Sequence, residues 1–318
     1  MNKSQPIVFM FSGQGSQYYQ MGINLYQNNS TFKYWVNIGC EIVKNKTDID
    51  LLDILYQDRP SKFDPPFKKT IYTHPAIFII EYSLAMILIE NGIHPDITLG
   101  YSIGEYCANA VAGTISFEDG INMLVKQAQL VEAHTEPATM MAILAPVSIY
   151  EDHKPLFSET EVAGINYDTH FVISGKLDRL NQIHQYLKEN SYISQILPIS
   201  HGFHSSLMDS IEESYKKFCN SINIDPIQVP IISPTTRDYL SDLNWTDYFW
   251  DVTRKPAQFK DVINMMESTN NYRYIDLGPA GTLATFVKYN LKDSQSETFI
   301  TMNQFGTDLK NIEKIISL

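Results

Sequence analysis

Gly100-Tyr101-Ser102-Ile103-Gly104 is the segment whose residue types lend themselves best to covalent chemistry. The apolar run Ile97 to Leu99 before it reads as a strand, and the small residues after it (Ala108, Ala110, Ala112, Gly113) read as a closely packed helix. In such a strand, turn and helix, two glycines allow a sharp turn that pushes the serine outward, and the following backbone N–H with the helix N-terminus can stabilise a developing oxyanion. A serine hydroxyl also needs a base. Most of the eight histidines, such as His94, His134, His153 and His184, sit in polar stretches; the one that stands out is His204 in Ser200-His201-Gly202-Phe203-His204-Ser205-Ser206-Leu207-Met208, where the changed rhythm of the chain ends. His201 and His204 could instead hold a metal, but neither a helical H-E-x-x-H nor a cysteine partner accompanies them. Gly13-x-Gly15 lacks the third glycine and the lysine of a nucleotide-binding loop.

The elements that must position these residues follow an α/β rhythm. Strand-like Ile7 to Phe11, a helix from about Ser16, the helix after His74, and Ile97 to Leu99 followed by a helix imply a parallel sheet covered by helices. Between about Met140 and Ser200 the rhythm changes. Met140 to Leu144 reads as a strand and a short helix falls around Tyr150 to Phe157. Val162 to Asn166 and His170 to Ser174 are strands about a turn, Leu177 to Lys188 is helical, and Ser194 to Ile199 is a closing strand. This β-α-β-β-α-β order is ferredoxin-like. The expected organisation is a large hydrolase-like α/β subdomain over residues 1–136 and 205–318, with a ferredoxin-like small subdomain over 137–204 inserted in it and a cleft at the junction.

Composition narrows the function classes. A chain of 318 residues with 44% hydrophobic residues can bury a substantial core, and a net charge of −12 disfavours a sequence-independent grip on nucleic acid or an anionic membrane. Cys40, Cys107 and Cys219 are odd in number and far apart, which argues against a disulfide framework and fits a reducing cytoplasm. The longest apolar run, Pro75 to Ile89, is interrupted by Glu81 and reads as a buried helix rather than a membrane span.

Four segments in register, Phe11-Ser12-Gly13-Gln14-Gly15-Ser16-Gln17, Gly100-Tyr101-Ser102-Ile103-Gly104-Glu105, His201 to Met208 and Leu277-Gly278-Pro279, resemble the malonyl-CoA:acyl carrier protein transacylase family, including acyltransferases of polyketide synthases. The resemblance runs in the same order across nearly the whole chain. It implies that Ser102 is acylated, that His204 is its base and then its acid, and that the backbone N–H groups of Gln14 and Ile103 form the oxyanion hole. It further implies that a backbone carbonyl orients the histidine, with Gln258 as the matching position. Asn166 matches a position near the acyl pocket, though a turn residue at a strand end reads equally well. Tyr101, His201 and Phe203 are the remaining candidates for substrate contact.

One departure bears on specificity. Relatives that load malonyl groups carry an arginine some twenty residues past the serine, whose planar fork can hold a carboxylate. Here no arginine lies between Ser102 and Arg179, and Gln127 is the best match. A glutamine cannot neutralise a carboxylate, and Lys126 could do so only by pointing into the cleft rather than into solvent. Loss of the arginine resembles the acyl hydrolases found beside trans-acyltransferase polyketide synthases. The leading expectation is therefore a hydrolase that removes short acyl groups such as acetyl from acyl carrier protein thioesters. The alternatives are a trans-acting malonyl-CoA or other acyl-CoA:acyl carrier protein acyltransferase and a non-catalytic docking partner. The partner implied is the carrier protein with its phosphopantetheine arm, within a polyketide synthase assembly, and no metal or redox cofactor is implied. Lys68, Lys69, Arg254 and Lys255 could form a basic face for an acidic carrier.

Overall fold

Four of the five residues of Ile7–Phe11 (β1) have no exposed surface, and this unbroken apolar run lies within a sheet. The computed structural model describes residues 5–56, 67–292 and 294–318. Beyond β1 the strands are Ile97–Gly100 (β2), Thr139–Leu144 (β3), Thr160–Tyr167 (β4), His170–Gly175 (β5), Ile193–Ile196 (β6), Ile231–Ser233 (β7), Asp238–Tyr239 (β8), Arg273–Asp276 (β9) and Glu297–Ile300 (β10). They form two sheets. The larger has the order β10-β9-β1-β2-β7-β8, parallel except for β8 at its edge; the smaller, β4-β5-β3-β6, is antiparallel throughout. The second order, with one helix between β3 and β4 and another between β5 and β6, is that of the ferredoxin-like unit.

Helices cover the parallel sheet. Thr70–Glu90 is apolar on every side and packs between the helices Ser30–Thr47 and Phe117–His134, where the rings of Trp35, Tyr82 and Phe117 meet with centroids 4.4 to 5.2 Å apart. By length and composition this helix could cross a membrane, but its residues lie almost entirely inside the protein. The small sheet has two different faces. Met140, Ala142 and Val172 join the main core, whereas Met141, Ile143, Phe171 and Ile173 pack against Leu180, Ile183 and Leu187 of the helix Leu177–Glu189.

Three elements differ from the sequence expectation. The helix expected from about Ser16 starts at Ile23, because the Ser16 hydroxyl bonds the Gly13 carbonyl and Ser12 Oγ, holding the segment as a loop, and Gly22 turns the chain at φ +73°. The helix expected after His74 begins at Thr70, which puts His74 inside it. The last small-sheet strand ends at Ile196, since Pro198 has no N–H for a ladder and Ile199 bonds back to the Leu197 carbonyl.

The turn between β2 and the helix Gly104–Val111 is the tightest point of the architecture. A Cβ on Gly104 would lie 2.1 Å from the Phe11 carbonyl oxygen, and one on Gly100 would lie 2.3 Å from the backbone of Glu105. Both contacts are with main chain, which cannot move aside as a side chain can. Gly104→Ala is expected to cost about 3 kcal/mol of stability by forcing backbone shifts. An unchanged urea midpoint for that variant would contradict the packing described.

Candidate active site

Ser102 sits on this turn at φ +56°, a left-handed conformation that a non-glycine residue adopts only when its surroundings hold it there. Its Oγ lies 2.8 Å from His204 Nε2. His204 is also left-handed, at φ +59°, in the loop through which the chain leaves the small sheet. Its backbone N–H donates to the Thr253 carbonyl at 2.9 Å, and its ring Nδ1 lies 2.7 Å from the Lys255 carbonyl oxygen. A carbonyl can only accept, so Nδ1 carries the proton and Nε2 presents a lone pair to the serine hydroxyl. Burial pushes the imidazole down to about 4, against the opposing effect of the Lys255 hydrogen bond, so the ring is neutral at neutral pH and able to take a proton.

The carbonyl expected at Gln258 is thus supplied three residues earlier. Pro256 disfavours helical geometry at Lys255, which ends the helix Trp245–Arg254 in an extended conformation (φ −87°, ψ 152°). That break leaves the Lys255 carbonyl outside the helix, bonded to His204. Gln258 instead gives its N–H to the Pro234 carbonyl and begins the helix Phe259–Glu267. Among the described residues, the N–H groups of Gln14 and Ile103 make no hydrogen bond and so remain available as donors to an oxyanion. The Gln14 side chain is tied back, with Nε2 donating to Thr73 Oγ1 at 2.7 Å.

A small cavity opens on this pair and adjoins a larger one. The inner one, about 50 Å³, is lined by Ser102, His204, Gln14, Tyr101, His74 and Phe203, and walled by Met140, Val172 and Leu197 from the small sheet and its exit. The outer one, about 600 Å³, shares Gly13, Gln14, Tyr101, Val172 and Leu197 with it and extends past Asn166, His170 and Phe286. A cleft of that size suits a small-molecule arm. Tyr101 borders both spaces, Phe203 the inner and Asn166 the outer, where Asn166 Nδ2 lies 2.9 Å from His170 Nδ1.

Other candidates fall elsewhere. His201 lines neither cavity; its Nδ1 lies 2.9 Å from Thr135 Oγ1 at the end of the helix Phe117–His134. Gln127 is buried outside the cavity lining, and its Nε2 donates to Thr253 Oγ1 at 2.7 Å and Tyr106 Oη at 3.1 Å. Lys126 borders a separate surface cavity beside Lys46. Of the residues suggested for a basic face, Arg254 pairs with Asp209 and Glu161, and Lys255 with Asp251. No group of three or more possible metal ligands occurs among the described residues. The sequence reading missed His74 and His170. A lone histidine within the apolar run Thr73 to Ile80 was the available signal for His74.

A buried acidic network braces the turn. Glu105, on the helix after Ser102, accepts from the Ser233, Thr235 and Tyr248 hydroxyls, linking that helix to β7 and to the helix that carries the Lys255 carbonyl. Burial raises its carboxyl to about 7 despite those hydrogen bonds. Glu81 accepts from both N–H and Oγ of Ser12, holding the loop after β1, and burial raises it as well.

Residues 8–315 match the acyl transferase domain family. The chain belongs to that family. Acyl transferase domain relatives include the polyketide biosynthesis acyltransferase homolog PksD of Bacillus subtilis (strain 168), 39% identical over 98% of this chain and 96% of its own length. A second is the homolog BaeD of Bacillus velezensis, 38% identical with the same coverage. Among solved structures, the malonyl CoA-acyl carrier protein transacylase from Clostridium perfringens superposes with a TM-score of 0.80 at 26% identity, covering 98% of this chain and 96% of that one.

Two pH effects follow for this acyl transferase domain. With His204 neutral above about pH 5, the rate of Ser102 acylation should be flat from pH 6 to 8 and fall only as pH drops towards 4. A limb at the ordinary histidine value would show that burial does not control the base. Glu105 is raised above its unfolded value of 4.5, so its contribution is full below that value and is lost as pH rises through about 7. The melting temperature should therefore fall between about pH 4.5 and 7 and level off above it, and Glu105→Gln should flatten that slope.

Proposed function

We propose that the protein is an acyl hydrolase of polyketide biosynthesis that removes short acyl groups such as acetyl from acyl carrier protein thioesters through an acyl-Ser102 intermediate. The observation that carries this reading is the charge of the site: among the described residues, no lysine or arginine lines either cavity. A malonyl carboxylate taken into a largely dry pocket without a cation would forfeit its hydration for nothing, whereas an acetyl group loses little. The outer cavity suits the pantetheine arm, and its wholly neutral lining fits the arm better than the several phosphates of coenzyme A.

Ser102 Oγ attacks the thioester carbonyl carbon while His204 Nε2 takes its proton, and the oxyanion receives the Gln14 and Ile103 N–H groups. Collapse breaks the carbon–sulfur bond, and the imidazolium returns the proton to the leaving thiol. Water then enters, gives a proton to the same nitrogen and attacks the acyl ester, releasing the free acid and restoring the serine. The Lys255 carbonyl steadies the imidazolium in both halves without itself changing protonation.

A second reading, an acyltransferase that passes the group to a carrier thiol, draws support from the relatives' names. Mass spectrometry of the protein with acetyl-loaded and malonyl-loaded carrier separates the two. Free acetate, an emptied carrier and no lasting malonyl mark are expected; a label that moves from Ser102 to a second carrier would establish transfer instead. Ser102→Ala should give no acyl-enzyme, and His204→Ala should lose about three orders of magnitude or more in rate.

A further inference from the structure

We infer that His74, rather than Gln127, sets acyl specificity, by closing the inner cavity with a neutral polar wall that admits a short uncharged acyl group and rejects longer or carboxylated ones. The inference rests on the acyl-Ser102 reading but not on whether water or a thiol receives the group. His74 has no exposed surface and lines the same small space as Ser102 and His204. Its ring lies 5.1 Å from that of Phe203, so the two aromatic groups together bound the space.

The hydrogen bonding of His74 is incomplete. Nε2 faces Gln14 Oε1 at 3.4 Å, a long contact, while Nδ1 and the neighbouring Gln127 Oε1 each lack a hydrogen-bond partner of good geometry. A neutral imidazole has one N–H to share between two amide oxygens, and a buried group left short in this way is a recurring sign of a functional constraint. The second proton that would satisfy both oxygens, and would also give the pocket a cation, is disfavoured by the dry surroundings and by His201 and His204 nearby. Gln127 occupies the helix position that the family resemblance associates with a carboxylate-binding arginine, but it touches neither cavity. The side chain that meets the acyl group is the uncharged His74.

Size leads to the same conclusion. At roughly 10 to 15 Å³ per water-sized occupant, a 50 Å³ space holds about three to five heavy atoms. Acetyl has three and fits with room to spare; butyryl, with five, is at the upper limit, and malonyl, with six, exceeds it. Removing the imidazole adds room in the direction of Gln127 and leaves Ser102, His204 and the backbone N–H groups of Gln14 and Ile103 in place; the Gln14 side chain loses a long contact and keeps its bond to Thr73.

Acylation of Ser102 by acetyl-, butyryl- and malonyl-pantetheine, followed by intact mass and by thiol release, tests the assignment on the full chain. In His74→Ala the ratio of butyryl to acetyl kcat/KM should rise about tenfold or more, the scale on which hydrophobic pockets discriminate single methylenes. Malonyl should remain poor, because no cation has been added. His74→Asn, which keeps a polar group and a shorter stem, should move the ratio the same way and serves if the alanine variant does not fold. A folded variant with the wild-type chain-length profile overturns the inference. If wild-type protein prefers acetyl on Ser102 but delivers it to a thiol, the hydrolase reading falls and the role of His74 stands.

Discussion

The close approach of the turn after β2 to the end of β1 is the constraint on which the site depends. Gly104 is pressed against the Phe11 carbonyl and Gly100 against the backbone of Glu105, leaving Ser102 no relaxed conformation to adopt. A left-handed serine costs on the order of 1 to 3 kcal/mol, and that strain persists because the flanking strands over-determine the turn. The parallel pairing of β1 with β2 sets Phe11 opposite Gly100. Tyr101 then donates its N–H to the Phe11 carbonyl, at the point where the glycines meet the neighbouring strand.

The histidine reaches this serine by a different route. It lies where the chain leaves the small sheet, and it is fixed by two carbonyls, Thr253 and Lys255, at the end of one helix. The Thr253 carbonyl holds the backbone, while the Lys255 carbonyl orients the ring and favours a positive charge on it without introducing a titratable carboxylate. Glu105 completes the frame, joining the serine's helix to the helix that supplies those carbonyls. The two halves of the pair are thereby held by one buried network rather than by contact with each other alone.

Much of this was legible in the sequence because it follows from local rules. The strand before Gly100, the turn glycines and the β-α-β-β-α-β order each have a short-range signature, and Ile7–Phe11 and Ile97–Gly100 fall where the apolar runs put them. What escaped depends on long-range geometry. The carbonyl that orients His204 could not be fixed to the residue from spacing, and the proline after Lys255 was a local clue to it. Gln127 sits at the expected helix position yet faces Tyr106 and Thr253, since spacing along a helix gives a face and not the neighbour that blocks it. His74 was hidden by its surroundings, one of a few polar residues in a helix that is mostly core.

The loss of a cation need not be a loss of selectivity. A pocket that binds a carboxylate through an arginine selects by attraction, and any uncharged acyl group small enough to enter is only weakly refused. A pocket closed by a neutral, under-bonded imidazole selects by exclusion. A carboxylate there meets no charge, and a longer chain meets a ring wedged between Phe203 and the base of the cavity. Short acyl groups are left as the species that can lie with their carbonyl at the Gln14 and Ile103 N–H groups and their tail in the space that remains. In this arrangement specificity is a property of what the second turn of one core helix, Thr70–Glu90, presents beside the serine, and the catalytic pair is compatible with any acyl group that fits.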